Sequence, residues 1–206
     1  MALAAFAGVV GEASLVSLLK VEGLRKSFGG VHALKNGQFD LAPGSVHALC
    51  GGNGAGKSTF LSILMGIHRR DGGKIWRKGE LVEFSSPAEA LASGIAIIEQ
   101  ELSPIPFMTV AENIYLGREP LKRFGGIDFR AMNRAAQKLL DDLEFDIRAD
   151  QQMASLSVAK MQLVEIAKAL SHDAEVIFMD EPTSAIGERE AQHLFAAIET
   201  LKAQGR

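Results

Sequence analysis

The sequence predicts an α/β fold with a mainly parallel sheet. Three observations carry that expectation. Short apolar runs with strand character alternate with longer stretches whose apolar residues recur at helical spacing. A glycine-rich segment, Gly51-Gly52-Asn53-Gly54-Ala55-Gly56, separates one such run from one such stretch. A continuous apolar run, Val176-Ile177-Phe178-Met179, has the character of a strand buried on both faces.

Taken in order, Leu19-Lys20-Val21-Glu22-Gly23-Leu24 predicts a first strand, and Ser45-Val46-His47-Ala48-Leu49-Cys50 a short strand leading into the glycines. From Thr59 the apolar residues have helical spacing, with a stop at Gly66. Lys74-Ile75-Trp76-Arg77 follows a Gly72-Gly73 turn and predicts another strand. Ile95-Ala96-Ile97-Ile98, followed by Glu99-Gln100, suits a buried strand whose C-terminal end meets a ligand site. Residues 104–126 carry three prolines and Gly125-Gly126, so they predict loops around one short helix near 110–116. Residues 129–143 place Met132, Ala135, Ala136, Leu139, Leu140 and Leu143 on one helical stripe. Ser157 is an N-cap for a further helix through Leu170, and residues 188–204 predict a last helix ended by Gly205. The helix-rich middle, about 105–172, reads as an inserted helical subdomain.

Composition narrows the class. The chain has 206 residues, 47% apolar and 23% charged, with a formal net charge of −3. That is ordinary globular composition without the basic face that sequence-independent nucleic-acid binding needs. The single cysteine, Cys50, excludes a disulfide within the chain and fits a reducing compartment; it is expected to be a small buried strand residue. The apolar N-terminus lacks a basic start and is interrupted by Glu12, so it predicts neither a signal peptide nor a membrane span. Membrane association is expected through a partner only.

The chemistry starts at Gly51–Thr59, which fits G-x-x-x-x-G-K-[ST] in its required strand–loop–helix context. Gly51, Gly52, Asn53, Gly54, Ala55 and Gly56 let backbone amides curl around phosphate oxygens, and the helix start adds positive potential. Lys57 reaches β- and γ-phosphates, the Ser58 hydroxyl can ligate Mg²⁺, and Thr59 completes the motif. Asp180-Glu181 closes the apolar strand at 176–179. A carboxylate there holds Mg²⁺ in nucleotide-hydrolysing proteins with such a loop, and its neighbour can take a proton from attacking water.

Between these motifs lies Leu156-Ser157-Val158-Ala159-Lys160-Met161-Gln162. The order of P-loop, Gln100, Leu-Ser-x-x-x-x-Gln, apolar strand and Asp-Glu-Pro-Thr-Ser resembles the ATP-binding domain of ABC transporters. The chain is most similar to the ATP-binding subunits of bacterial monosaccharide importers of the ribose, galactose, xylose and arabinose type. The same flavour runs through Lys26-Ser27-Phe28-Gly29-Gly30, Met108-Thr109-Val110-Ala111-Glu112-Asn113-Ile114 and Val164-Glu165-Ile166-Ala167-Lys168-Ala169-Leu170. It covers about residues 19–206, leaving 1–18 as an N-terminal extension.

The resemblance implies a P-loop nucleotide hydrolase of ABC type with an N-terminal antiparallel β portion, using ATP and Mg²⁺. It implies that Phe28 stacks on adenine, that Gln100 reaches Mg²⁺ and the attacking water, and that Ser157, with Ala159 and Gln162 of the same signature, contacts ATP held by an opposite domain. Residues near 105–117 would receive a helix of the membrane subunit. The implied partners are integral-membrane permease subunits, a second ATP-binding domain in tandem or as a dimer, and, indirectly, a periplasmic sugar-binding protein, with no nucleic acid. The implied location is the cytoplasmic face of the bacterial inner membrane.

Some positions depart from the family pattern. Ala159 and Lys160 stand where Gly and Gln are usual, and Gly187 stands where Asp is common. None of the five histidines falls at the family's γ-phosphate-sensing position, so a domain incomplete at its C-terminus is expected. The rival expectations are a soluble ABC-type ATPase not linked to transport, and a domain that binds nucleotide with little turnover. A small-molecule P-loop kinase would not account for Leu156-Ser157 and Gln162.

Overall fold

Alternation begins at the first strand, β1 (Leu19–Phe28), where Leu19, Val21 and Leu24 are buried. The computed structural model describes residues 17–52, 54–99, 103–180, 182 and 187–203. They divide between Ile95 and Ala96 into two compact units.

In the first unit, β1 pairs antiparallel with β2 (Val31–Leu41) across the turn Gly29-Gly30. Both glycines have positive φ, as the hairpin turn that matches strand twist requires. β1 also pairs antiparallel with β3 (Gly72–Arg77), and β3 pairs with β4 (Glu80–Val82) around Lys78-Gly79. The order is β2-β1-β3-β4. The antiparallel portion is therefore present, and the pairings within this sheet are all antiparallel. The strand expected at 45–50 does not form. The segment joins neither edge of the sheet and Cys50 is exposed, against the expectation of burial. An apolar run becomes a strand only where a neighbour completes its backbone ladder.

Helix α1 (Lys57–Leu64) buries Phe60, Leu61, Ile63 and Leu64. Phe60 seats the helix on β2, with its ring centroid 5.8 Å from that of Phe39. Gly37 leaves that space open, because a Cβ there would stand 3.1 Å from Leu24 Cβ and 3.4 Å from the Phe60 ring. A short helix, α2 (Pro87–Ala92), is capped by Ser86, whose hydroxyl accepts from Glu89 N. Buried Arg77 ties the sheet to the end of α2 by donating to Ser93 O (3.1 Å) and Leu18 O (2.8 Å).

The second unit holds β5 (Ile95–Ile98) from Ala96 onward, beside β6 (Val176–Met179), with α3 (Val110–Ile114), α4 (Phe129–Asp142), α5 (Val158–Leu170) and α6 (Glu188–Ala203). One core runs through it. Ile114, Met132, Leu140, Met153, Ile166 and Leu194 are almost wholly buried in it. Helix α4 exists for the reason its sequence suggests: one apolar stripe inward, and an Asp128 side chain that accepts from Ala131 N. Helix α3 is too short to persist alone. A reciprocal cap between Thr109 and Glu112 fixes its start. Buried Asn113 pins the preceding loop, accepting from Ile105 N and donating to the Ile105 and Thr109 carbonyls. No helix among the described residues is long and apolar enough to cross a membrane.

Candidate functional site

Glycine geometry builds the loop before α1. Gly54 (φ 79°) and Gly56 (φ 92°) lie in the left-handed region, and Ala55 N donates to Gly52 O at 3.1 Å. Gly51 faces Ala55 so closely that a Cβ would stand 3.0 Å from that methyl group. Gly56 is the N-cap of α1, and no side chain among the described residues caps the helix. The amides that open the helix are thus offered to an acceptor from outside it. Lys57 turns back into the loop, where its Nζ donates to the carbonyls of Gly51 and Gly52. Ser58 is exposed and Thr59 half-buried; Asn53 lies outside the described residues. A glycine loop opening into a helix start, with an ammonium group beside it, suits a phosphate chain, which needs several donors and a counter-charge.

Gly56 has two separate reasons to be glycine. A Cβ would stand 2.6 Å from the carbonyl oxygen of Ala33, and its φ disfavours any L side chain. Gly56→Ala is expected to destabilise the chain by about 1–3 kcal/mol. A urea-unfolding midpoint equal to that of the parent would refute this account of the loop.

The same contact places the loop against β2. Ala33 lies two residues beyond Val31, and Val31 pairs with Phe28 across the hairpin. A strand rises about 3.3 Å per residue, so the backbone of Phe28 lies within a few residues of the strand position that meets Gly56. Sequence alone makes a lone Phe a core residue, yet Phe28 is 42% exposed. Its ring meets His68 edge-on at 5.2 Å and lies under Lys26 Nζ at 5.3 Å. Asp71 steadies this end of β1, accepting from Lys26 Nζ (3.1 Å) and Ser27 N (2.7 Å). Those two bonds hold its carboxyl below the usual carboxylate range. An exposed aromatic ring offers a face on which a planar base can stack.

Asp180, Ser157, Ala159 and Gln162 belong to the second unit. Asp180 follows β6 directly, is half-buried, and donates its backbone N–H to Ile98 O at 3.0 Å. Ser157 is exposed at the start of α5, where its hydroxyl accepts weakly from Lys160 N (3.4 Å). Ala159 is buried, so its methyl group packs inward. Gln162, expected to face nucleotide, is instead buried at 6% exposure with Nε2 bonded to Pro182 O at 2.7 Å. The second turn of α5 faces the protein interior, which explains the difference. Gln100 and Glu181 lie outside the described residues. Two features escaped the sequence reading. Lys160 Nζ binds the Asp146 carbonyl (2.6 Å) and carboxylate (3.3 Å), which turns the unusual signature lysine back onto its own unit. Asn113 is the other, and the Thr109-x-x-Glu112 pattern was its one available signal.

Comparison with known proteins agrees with this geometry. Residues 34–184 match the family model described as "ABC transporter". The chain is 53% identical over 188 residues to a Rhizobium etli protein carrying the name of a ribose/galactose/methyl galactoside import ATP-binding protein, covering 91% of this chain. It is 46% identical over 200 residues, 97% of this chain, to a Pseudomonas syringae pv. tomato protein with the same kind of name. The chain spans 37–38% of the length of these curated relatives. Among solved structures, it resembles the ADP conformation of an ATP-binding cassette from an ABC transporter. The TM-score is 0.79 at 31% identity, over 92% of this chain and 78% of the other.

Proposed function

Because the chain belongs to the ABC transporter family, we propose that it is part of an ATP-hydrolysing subunit that energises the import of a monosaccharide. The observation that carries the reading is the cradle before α1, with its left-handed glycines, uncapped helix start and inward-turned Lys57. The sugar assignment is supported by the names of the relatives, which describe ribose/galactose/methyl galactoside import. We place an extension at 1–18 and an ABC-type nucleotide-binding domain over 19–206, with a helical subdomain at about 105–172.

In this proposal the loop amides and Lys57 bind the phosphates of ATP, and Phe28 covers the base. Ser58 and Asp180 offer the hard oxygen donors that Mg²⁺ prefers, with Gln100 as a third. When bound, Mg²⁺ supplies neutralising charge at the β- and γ-phosphates. Glu181 accepts the proton of the water that attacks the γ-phosphorus, while Lys57 and the loop amides hold the developing charge. Ser157 serves the ATP of a second domain, so pairing with that domain is part of the cycle. Exposed Phe107 and Leu116, in the stretch assigned to permease contact, supply an apolar surface for a membrane-subunit helix. The location is then the cytoplasmic face of the inner membrane, held there by the permease.

The test combines nucleotide titration with recovery of tagged chain from cells. Saturable MgATP binding together with a co-purifying integral-membrane permease is the expected result. Failure to bind nucleotide would defeat the ATPase reading. Binding accompanied by ribosomes or repair complexes in place of a permease would defeat the transport reading.

A further inference from the structure

We propose that the loop ahead of α4 is a lipid contact, whose tip Lys122-Arg123-Phe124 docks on an anionic bilayer surface. The inference deepens the membrane location given above and rests on it only for which membrane is met; it needs neither nucleotide nor permease. The loop is closed by its own backbone. Leu121 bridges antiparallel to Ile127, and Lys122 N donates to Gly126 O at 2.9 Å. Asp128 N closes the base by donating to Pro120 O at 2.7 Å. Gly125 N donates to Lys122 O at 3.0 Å, which makes Arg123 and Phe124 the central pair of a tight turn. Gly125 (φ 88°) and Gly126 (φ 81°) take the left-handed conformations that bring the chain back. Before the loop, Arg118 donates to Ser171 O (2.9 Å) and Ser171 Oγ (2.7 Å), which fastens the incoming chain to the end of α5. The tip is therefore presented on a braced stem.

What the tip presents is apolar. Phe124 is 94% exposed and Leu121 71%. The Phe124 ring lies 5.6 Å from the guanidinium of Arg123, itself exposed. Turns favour Gly, Pro, Asn, Asp and Ser, so local geometry does not call for a phenyl ring there. Charge decides what covers it. Residues 118–134 hold five Lys or Arg against two Asp or Glu, in a chain of net charge −3. Both carboxylates are taken by backbone amides, Glu119 accepting from Gly117 N and Asp128 from Ala131 N. Lys122 and Arg123 are exposed between the two apolar side chains. That arrangement fits the interface of an anionic bilayer, where the cations stay among the headgroups while ring and aliphatic carbon enter the acyl boundary. A protein cleft deep enough to bury Phe124 would also desolvate the two cations beside it, a cost the hydrated headgroup layer avoids.

The experiment sediments the chain, without nucleotide, with sucrose-loaded vesicles of phosphatidylethanolamine and phosphatidylglycerol, against vesicles of phosphatidylcholine alone. Binding to the anionic vesicles only, weakened by added salt, is the expected result. The double variant Lys122→Gln/Arg123→Gln should weaken it by about twenty- to thirtyfold, at about fivefold per cation. Phe124→Ser should weaken it by about tenfold or more. Lys35→Gln, which removes an exposed cation of β2, should leave it within about twofold of the parent. The indole introduced by Phe124→Trp should be quenched by brominated acyl chains beyond the quenching of the parent, whose one tryptophan is Trp76. Absence of binding to the anionic vesicles overturns the proposal. So does a loss in Lys35→Gln equal to that in the double variant, and so does unchanged binding in Phe124→Ser. Loss of permease co-purification in Phe124→Ser, with vesicle binding intact, makes the tip a protein contact and also overturns it. Failure of any permease to co-purify with the parent defeats the transport reading and leaves the vesicle result standing. Should Phe124→Ser fail to fold, quenching in Phe124→Trp decides by itself.

Discussion

Lys57→Ala is expected to abolish MgATP binding at nucleotide concentrations that saturate the parent. In the structure the ammonium group is drawn into the loop by the carbonyls of Gly51 and Gly52, at the foot of α1. It is a positive charge held at the loop's own carbonyls. A hydrogen bond to a charged group contributes about 1.5–3 kcal/mol, and the lysine is assigned to two phosphates. Losing both weakens affinity by roughly 10²–10⁴-fold, since each 1.4 kcal/mol is tenfold. The helix start alone cannot replace this, because its effect is a partial charge that falls off within one turn. The exposed carbonyls of Gly51 and Gly52 would also face phosphate oxygens with no cation between them. Fluorescence titration with a nucleotide analogue measures the change, and thermal melting shows that the variant is folded. Affinity equal to that of the parent would remove the phosphate role from this loop.

Much of the fold was legible wherever one signal dominated. The stripe at 129–143 became α4 (Phe129–Asp142), and the run at 176–179 became β6 with the same limits. Ser157 capped α5 as its position suggested. The signals failed where tertiary partners decide. β2 carries exposed Lys35, Asn36, Gln38 and Asp40, so its apolar content is too thin to announce a strand. It forms because β1 supplies a ladder and Phe60 packs over Gly37. The opposite error occurs at 45–50, where strand-like residues join neither edge of the sheet. The same division holds at the site. The P-loop is contiguous, so its chemistry could be read from spacing. The partner of Gln162 lies twenty residues away across a strand, and no local pattern reports such a bond. The exposure of Phe28 follows from its place at the hairpin turn, which hydrophobicity alone does not reveal.

Glu181→Gln is expected to keep MgATP binding while slowing hydrolysis by about 10²–10⁴-fold, the usual scale for loss of a general base. The position argues for that role. β6 is a short strand that ends at Met179, and Asp180 and Glu181 come next. In the proposed assignment Asp180, half-buried and with its backbone bonded to Ile98, is the metal donor. The adjacent carboxylate is then left for proton transfer. Glutamine preserves size and hydrogen-bonding shape, so phosphate binding by Lys57 and the loop amides should be unaffected. What it removes is the basicity of the carboxylate, since an amide oxygen accepts a hydrogen bond but does not hold a proton. Bound nucleotide should therefore remain ATP in the variant and become ADP in the parent, which chromatography of nucleotide released from the protein separates directly. ATP-dependent pairing of domains should also outlast that of the parent, because reopening follows hydrolysis. If the variant releases ADP at the parent rate, proton transfer belongs to another group, and Gln100, assigned to the same water, becomes the next residue to replace.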